Sequence, residues 1–246
     1  MSDLYQIWSR LGVAFDTAPF FGSSIDLEDV LVKTSLEGRK DSRLLFGMRG
    51  WLLKHYELVN SARLICKIKS CSSTAVLGAV IESVILEYPR SNLKYAIKYC
   101  HPLSQSDFVF DSVRYSKTIS HLNQMENLPL WKKWNLISRE MGDMHGAIRE
   151  KKFVLKHNPQ LALRALFGAG LKAEVLSFFL NHRKGNARQI ALTIGLSYEP
   201  VYSELMLFKK IGLAEEKKEG ALESLQKEVS SLPNIEEAEV ENMTLL

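Results

Sequence analysis

The 246-residue sequence has few cysteines, no leader-like opening and no long apolar run. Its three cysteines include no Cys-x-x-Cys pair, which argues against the disulfide framework of a secreted protein. The first ten residues lack a basic stretch followed by an apolar core, so we expect no signal peptide. The longest apolar stretch, about residues 75–88, is too short to span a bilayer and contains Glu82. We therefore expect a soluble, cytoplasmic protein with no membrane partner.

The sequence motifs of common enzymes are missing as well. There is no Gly-x-Ser-x-Gly nucleophile elbow, no phosphate-binding loop and no His-Glu-x-x-His zinc motif. Nucleotidyltransferases carry a Gly-Ser dipeptide and, some residues later, a pair of metal-binding aspartates. Gly22–Ser23 matches the dipeptide, but Asp26 and Glu28 follow it too closely to be that pair. We therefore expect no catalytic residues and no enzymatic activity.

A metal site is the remaining chemical alternative. Cys66, Cys71, Cys100 and His101 carry thiol and imidazole groups of the kind that bind zinc. Their spacing is loose, however, and buried structural cysteines explain them more simply. We expect no metal and no cofactor.

The chain carries a net positive charge, which is unevenly distributed along the sequence. The whole chain carries +4, and because residues 215–246 carry −6, residues 1–214 carry +10. The excess is densest over residues 149–188, where nine lysines and arginines face two acids. A basic body attracts polyanions such as nucleic acid, and an acidic tail can compete for the same surface. The alternative interpretation of this positive charge is that the lysines are scattered over the surface and only keep the protein in solution.

Regular apolar spacing is helical almost throughout the chain. Residues 44–59, 76–85, 91–100, 129–141 and 158–167 follow the i, i+3, i+4, i+7 rule. We therefore predict a mainly α protein in which Trp51, Trp131 and Trp134 are packing residues. Residues 106–123 fit a strand as well as a helix, and the apolar residues before Gly22 show no regular spacing.

The most informative stretch is residues 171–213, LKAEVLSFFLNHRKGNARQIALTIGLSYEPVYSELMLFKKIGL. Asn186 is a predicted cap for a short helix, Gly195 suits a left-handed helix end, and Ser197 is a predicted cap for the next helix. Val201, Leu205 and Phe208 follow at i, i+4 and i+7 and are expected to anchor that helix to a core. This pattern predicts two helices joined by a sharp turn.

Residues 161–213 resemble the winged helix-turn-helix superfamily, in the manner of MarR-like and ArsR-like bacterial and archaeal regulators. The resemblance implies a helix inserted into the major groove of double-stranded DNA and a role in transcription regulation. It implies that Tyr202 and Ser203 contact bases or phosphates and that Lys209 and Lys210 pair with phosphates. The full set of predicted DNA-binding residues is Arg183, Lys184, Arg188, Ser197, Tyr198, Tyr202, Ser203, Lys209 and Lys210.

The predicted organisation is an N-terminal helical domain (1–150), a winged helix-turn-helix-like domain (158–220) and an acidic C-terminal tail (221–246). The helical domain is expected to dimerise, sense a signal or dock a protein partner. The wing of such a domain is a β-hairpin with basic residues. Here it is expected to be reduced or atypical, because residues 214–220 mix acidic with basic side chains and the apolar residues of 221–230 have helical spacing. Because Glu199 and Glu204 also put negative charge on the recognition helix, a non-enzymatic adaptor whose winged helix binds protein remains the alternative.

Overall fold

The computed structural model of the chain describes residues 2–18, 24–110, 128–138, 142, 144–182, 184–216 and 222–224. The chain divides into two compact units, Met1–Ala173 and Glu174–Leu246. Most of the described residues are helical, which confirms the prediction of a mainly α protein. None of the described helices is long and apolar enough to cross a membrane.

The first unit is built from helices that pack around one apolar core. Its helices are α1 (Ser2–Arg10), α2 (Leu27–Glu37), α3 (Ser42–His55), α4 (Ser61–Lys69), α5 (Ala75–Glu87), α6 (Leu93–Ala96), α7 (Pro129–Lys133), α8 (Lys151–His157) and α9 (Pro159–Phe167). Three 3-10 turns, Tyr56–Leu58, Ile97–Tyr99 and His145–Ala147, lie between them. Two short strands, β1 (Asp107–Phe108) and β2 (Leu136–Ile137), pair in parallel.

A polar helix cap and buried tryptophans help to hold the first unit together. Asp41 begins α3 by accepting a hydrogen bond from the Arg43 amide. Trp51 is fully buried, and its indole N–H donates to the Leu11 carbonyl at 2.8 Å. Trp131 and Trp134 are also buried, so the prediction that the three tryptophans are packing residues is confirmed.

The helix α9 belongs to the first unit, whereas the sequence placed residue 158 at the start of the second domain. Leu161 of α9 is fully buried in the core of the first unit. Arg164 donates to both carboxylate oxygens of the fully buried Glu28 at 2.7 and 2.9 Å, and to the Leu58 carbonyl at 2.9 Å. A buried carboxylate requires a partner of opposite charge, which ties α9 to α2. The boundary between the units therefore lies between residues 173 and 174.

The predicted helix over residues 129–141 is wrong beyond its first turn. Pro129 does open α7, as expected for proline at a first helical position, but α7 ends at Lys133. Asn135 adopts a positive φ of 52°, and its side chain donates to the Leu103 carbonyl. The chain then pairs β2 with β1 instead of continuing the helix. Within the ambiguous residues 106–123, residues 107–108 are a strand, and residues 111–123 lie outside the described residues.

The second unit contains helices followed by an antiparallel sheet. The helix α10 (Leu171–Asn181) spans the boundary, and α11 (Ala187–Ile194) and α12 (Tyr198–Lys210) follow. The strands are β3 (Lys184–Gly185), β4 (Ala214–Glu216) and β5 (Leu222–Ser224). Their order in the sheet is β3-β5-β4, with both pairings antiparallel.

The expected helix over residues 221–230 is wrong at Leu222–Ser224, where the structure has the strand β5. The helical spacing of the leucines misled the prediction, because β5 satisfies its backbone between two neighbouring strands. The strands β4 and β5 pair antiparallel, although the mixture of acidic and basic residues over 214–220 argued against a hairpin there; residues 217–221 lie outside the described residues. The rest of the predicted acidic tail, residues 225–246, lies outside the described residues.

Candidate nucleic-acid interface

The turn between α11 and α12 forms as the sequence predicts. The Asn186 side chain accepts a hydrogen bond from the Gln189 amide at 2.8 Å and so begins α11. Gly195 ends α11 in the left-handed region with φ 68°, where an L side chain would be strained. Ser197 precedes α12, but its hydroxyl makes no capping hydrogen bond, so the predicted side-chain cap is wrong. The sharp turn therefore depends on Gly195.

The inward faces of the two helices form the core of this unit. The buried side chains are Ile190, Ala191, Ile194, Val201, Leu205 and Phe208. The strand β3 approaches this core closely, since a Cβ at Gly185 would lie 2.7 Å from the Phe178 ring and 3.2 Å from Ile190. Gly185 is thus a structural residue that the sequence analysis did not identify.

The outward face of α12 carries the predicted contact residues. Tyr198 and Tyr202 are 46% and 44% exposed, and their rings stack with centroids 5.8 Å apart and planes 20° apart. Ser203, Lys209 and Lys210 are exposed on the same helix. Because Val201, Leu205 and Phe208 hold the opposite side of α12 in the core, these polar groups stay at the surface.

The remaining predicted residues precede α12 in the chain. Lys184 on β3, Arg188 on α11 and Ser197 are all exposed. Arg183 lies outside the described residues. The lysines of α12 lie in its last turn and Glu199 lies in its first turn, which is the arrangement that the helix dipole favours. The structure therefore places one candidate surface along α12, with cations on β3 and α11 in the same unit.

Exposed apolar side chains in this unit were not part of the sequence prediction. Leu192 on α11 is 78% exposed, and Leu207 and Ile211 at the end of α12 are also exposed. Leu192 falls between the core positions Ile190 and Ile194, so helical periodicity alone places it on the opposite face of α11. That signal was available in the sequence.

The acidic residues near Gly22–Ser23 have structural partners in the first unit. Asp26 caps α2 by accepting from the Asp29 amide and forms an ion pair with Arg63 at 2.8 Å. Burial alone raises the pKa of Asp26, but Arg63 and Lys67 bring that pKa below its ordinary value. Gly22–Ser23 itself lies outside the described residues.

The cysteines are distributed over different environments. Cys66 is exposed, Cys71 is half-buried and Cys100 is buried, where burial raises the pKa of its thiol to about 12. In the part of the chain that the structure describes, no group of three or more His, Cys, Asp or Glu residues is arranged to hold a metal ion.

Comparison with known proteins finds no family model, no curated protein and no solved structure that matches the chain. The features that bear on function are the geometry of residues 184–216 and 222–224 and the exposed charges on α12. That geometry combines a two-helix turn, a sheet and one exposed polar helix face.

Proposed function

We propose that the second unit is a winged helix-turn-helix that binds double-stranded DNA and that the protein acts as a transcription regulator. The observation that carries the proposal is the order of elements, in which α10, β3, α11, α12, β4 and β5 follow one another. A three-stranded antiparallel sheet of order β3-β5-β4 accompanies the helix pair. The β4–β5 hairpin follows α12, in the position where a winged helix carries its wing.

The chemistry of α12 supports its role as the recognition helix. A helix with side chains is about 10–12 Å wide and fits the major groove of B-DNA. The hydroxyls of Tyr202 and Ser203 are hydrogen-bond donors and acceptors for base edges or phosphates. The ammonium groups of Lys209 and Lys210 are cations for backbone phosphates.

Salt dependence tests this proposal on the full chain. A fluorescently labelled duplex of about 20 base pairs is titrated by anisotropy between about 50 and about 200 mM salt. Binding should weaken steeply with salt, because each phosphate contact releases counterions. The variant Lys209→Ala/Lys210→Ala should lower affinity for all sequences alike and reduce the slope of log K against log salt by about two.

A matched control separates local contacts from net charge. The variant Lys40→Ala/Lys132→Ala also removes two exposed lysines, but both lie in the first unit. Under the proposal this control leaves the affinity and the slope close to wild type. Equal effects of the two double variants, with both proteins folded, would contradict a DNA interface on α12.

The exposed apolar side chains favour a second candidate function, that of an adaptor that binds protein. Leu192, Leu207 and Ile211 are apolar surface of the kind found at protein interfaces. Glu199 adds a negative charge to the exposed face of α12. If Leu192→Ser changes the oligomeric state in sedimentation while duplex DNA does not bind the wild-type chain, this adaptor function replaces the DNA-binding one.

A further inference from the structure

A second polar surface lies on the first unit, where α6 and the 3-10 turn Ile97–Tyr99 pack beside α4. Leu93 and Ala96 face the core and are fully buried. Tyr95 and Tyr99 are 52% and 40% exposed. We name the exposed residues Lys69, Lys94, Tyr95, Lys98 and Tyr99 the Lys–Tyr surface.

The ammonium group of at least one lysine lies over the ring of each tyrosine of the Lys–Tyr surface. The Lys69 ammonium lies 4.8 Å from the centre of the Tyr99 ring, which brings the end of α4 to the 3-10 turn. The ammonium groups of Lys94 and Lys98 lie 5.2 and 6.0 Å from the centre of the Tyr95 ring. Three cations and two aromatic rings are therefore exposed on α6, the 3-10 turn and the end of α4.

The charge of this surface is not neutralised by nearby acids. Residues 61–71 and 88–103 contain no aspartate or glutamate. Within the described residues, no carboxylate forms an ion pair with Lys69, Lys94 or Lys98, whereas Lys67 on α4 pairs with Asp26 at 3.0 Å. Only the cations on one side of α4 are therefore compensated, and the Lys–Tyr surface stays positively charged.

We propose that the Lys–Tyr surface binds single-stranded nucleic acid. The exposed aromatic rings offer stacking platforms to unpaired bases when the flexible lysines that lie over them turn towards the phosphates that follow each base. A duplex keeps its bases stacked on each other, so it cannot use the tyrosine rings in this way. The binding activity is additional to the duplex binding assigned to α12 and uses none of its residues.

Anisotropy of the full chain with a labelled oligothymidine of about 12 nucleotides tests the proposal. The variant Tyr95→Ala/Tyr99→Ala should weaken binding about tenfold or more, because stacking on each ring is lost. Tyr95→Phe/Tyr99→Phe keeps the rings and should bind like wild type. Lys94→Ala/Lys98→Ala should reduce the slope of log K against log salt by about 1.4, as expected for two phosphate contacts to a single strand.

The reciprocal control uses an exposed tyrosine of the second unit. Tyr202→Ala should leave oligothymidine binding unchanged, so failure of duplex binding and failure of this proposal remain distinguishable. Thermal unfolding of each variant checks that the fold is intact. The proposal is overturned if oligothymidine does not bind, if the alanine and phenylalanine variants bind alike, or if unlabelled duplex displaces the oligonucleotide as well as oligothymidine itself.

Discussion

In the first unit Glu28 of α2 and Arg164 of α9 are buried in the core, whereas in the second unit the polar groups of α12 lie on the surface. Glu28 and Arg164 are buried and satisfy each other. Tyr202, Ser203, Lys209 and Lys210 are exposed on one helix. Buried charges fix a structure, and exposed ones are available to a partner. The first set has a structural role, and the second set carries the DNA-binding role that we propose.

The largest effect should come from breaking the buried ion pair. Arg164→Met leaves the Glu28 carboxylate in the core without its principal partner, and we expect a loss of about 3–5 kcal/mol of unfolding free energy. The matched control is Lys151→Met, because Lys151 pairs with Glu57 at 2.9 Å at the surface. That change should cost about 0–1 kcal/mol. Urea unfolding measures both, and similar losses would contradict the structural role of the buried pair.

Within α12, the two faces should respond differently to truncation. Phe208→Ala empties a buried site and should destabilise the protein by about 3–5 kcal/mol. Tyr202→Ala removes an exposed ring and should leave the melting temperature close to wild type while weakening duplex binding about tenfold. Calorimetry and anisotropy on the same samples separate these effects. If Tyr202→Ala lowers the melting temperature as much as Phe208→Ala, the assignment of the two faces is wrong.

A smaller effect is the pH dependence of the stability of the first unit. His55 is buried, and its Nε2 lies 3.1 Å from the Arg149 carbonyl oxygen. Burial lowers the pKa of His55 in the folded state, whereas the unfolded imidazole keeps an ordinary pKa of about 6.5. The stability that the neutral ring contributes is therefore complete above about pH 6.5 and is lost as the pH falls from there towards the lowered folded pKa.

Urea unfolding between pH 7.5 and pH 5 measures this loss of unfolding free energy. Because one proton is involved, the loss is at most about 1.4 kcal/mol per pH unit. His55→Gln keeps an N–H donor for the Arg149 carbonyl but removes the titration. Its stability should therefore depend less on pH than that of the wild type. An unchanged pH dependence in His55→Gln would mean that other groups account for it.

Local signals in the sequence were sufficient for the helix pair of the second unit. Gly195 and the spacing of Val201, Leu205 and Phe208 predicted the turn and the buried face, because both depend on residues close together in the chain. The exposure of Tyr202, Ser203, Lys209 and Lys210 followed from the same periodicity.

Features that depend on distant residues were not predictable in this way. The strand β5 forms because two other strands flank it, so the helical spacing of its leucine was misleading. Arg164 belongs to the first unit because Glu28, far away in sequence, requires a charged partner. Lys69 reaches Tyr99 only after folding, so the Lys–Tyr surface had no signature in the local pattern.

Amide hydrogen exchange of the full chain, with and without duplex DNA, tests the central claim most directly. We expect DNA to slow exchange in α12 and in the neighbouring residues 184–197, with no change in α2, α3 and α5. Protection confined to the first unit, or duplex binding without any protection of α12, would contradict the assignment of the DNA interface to the second unit.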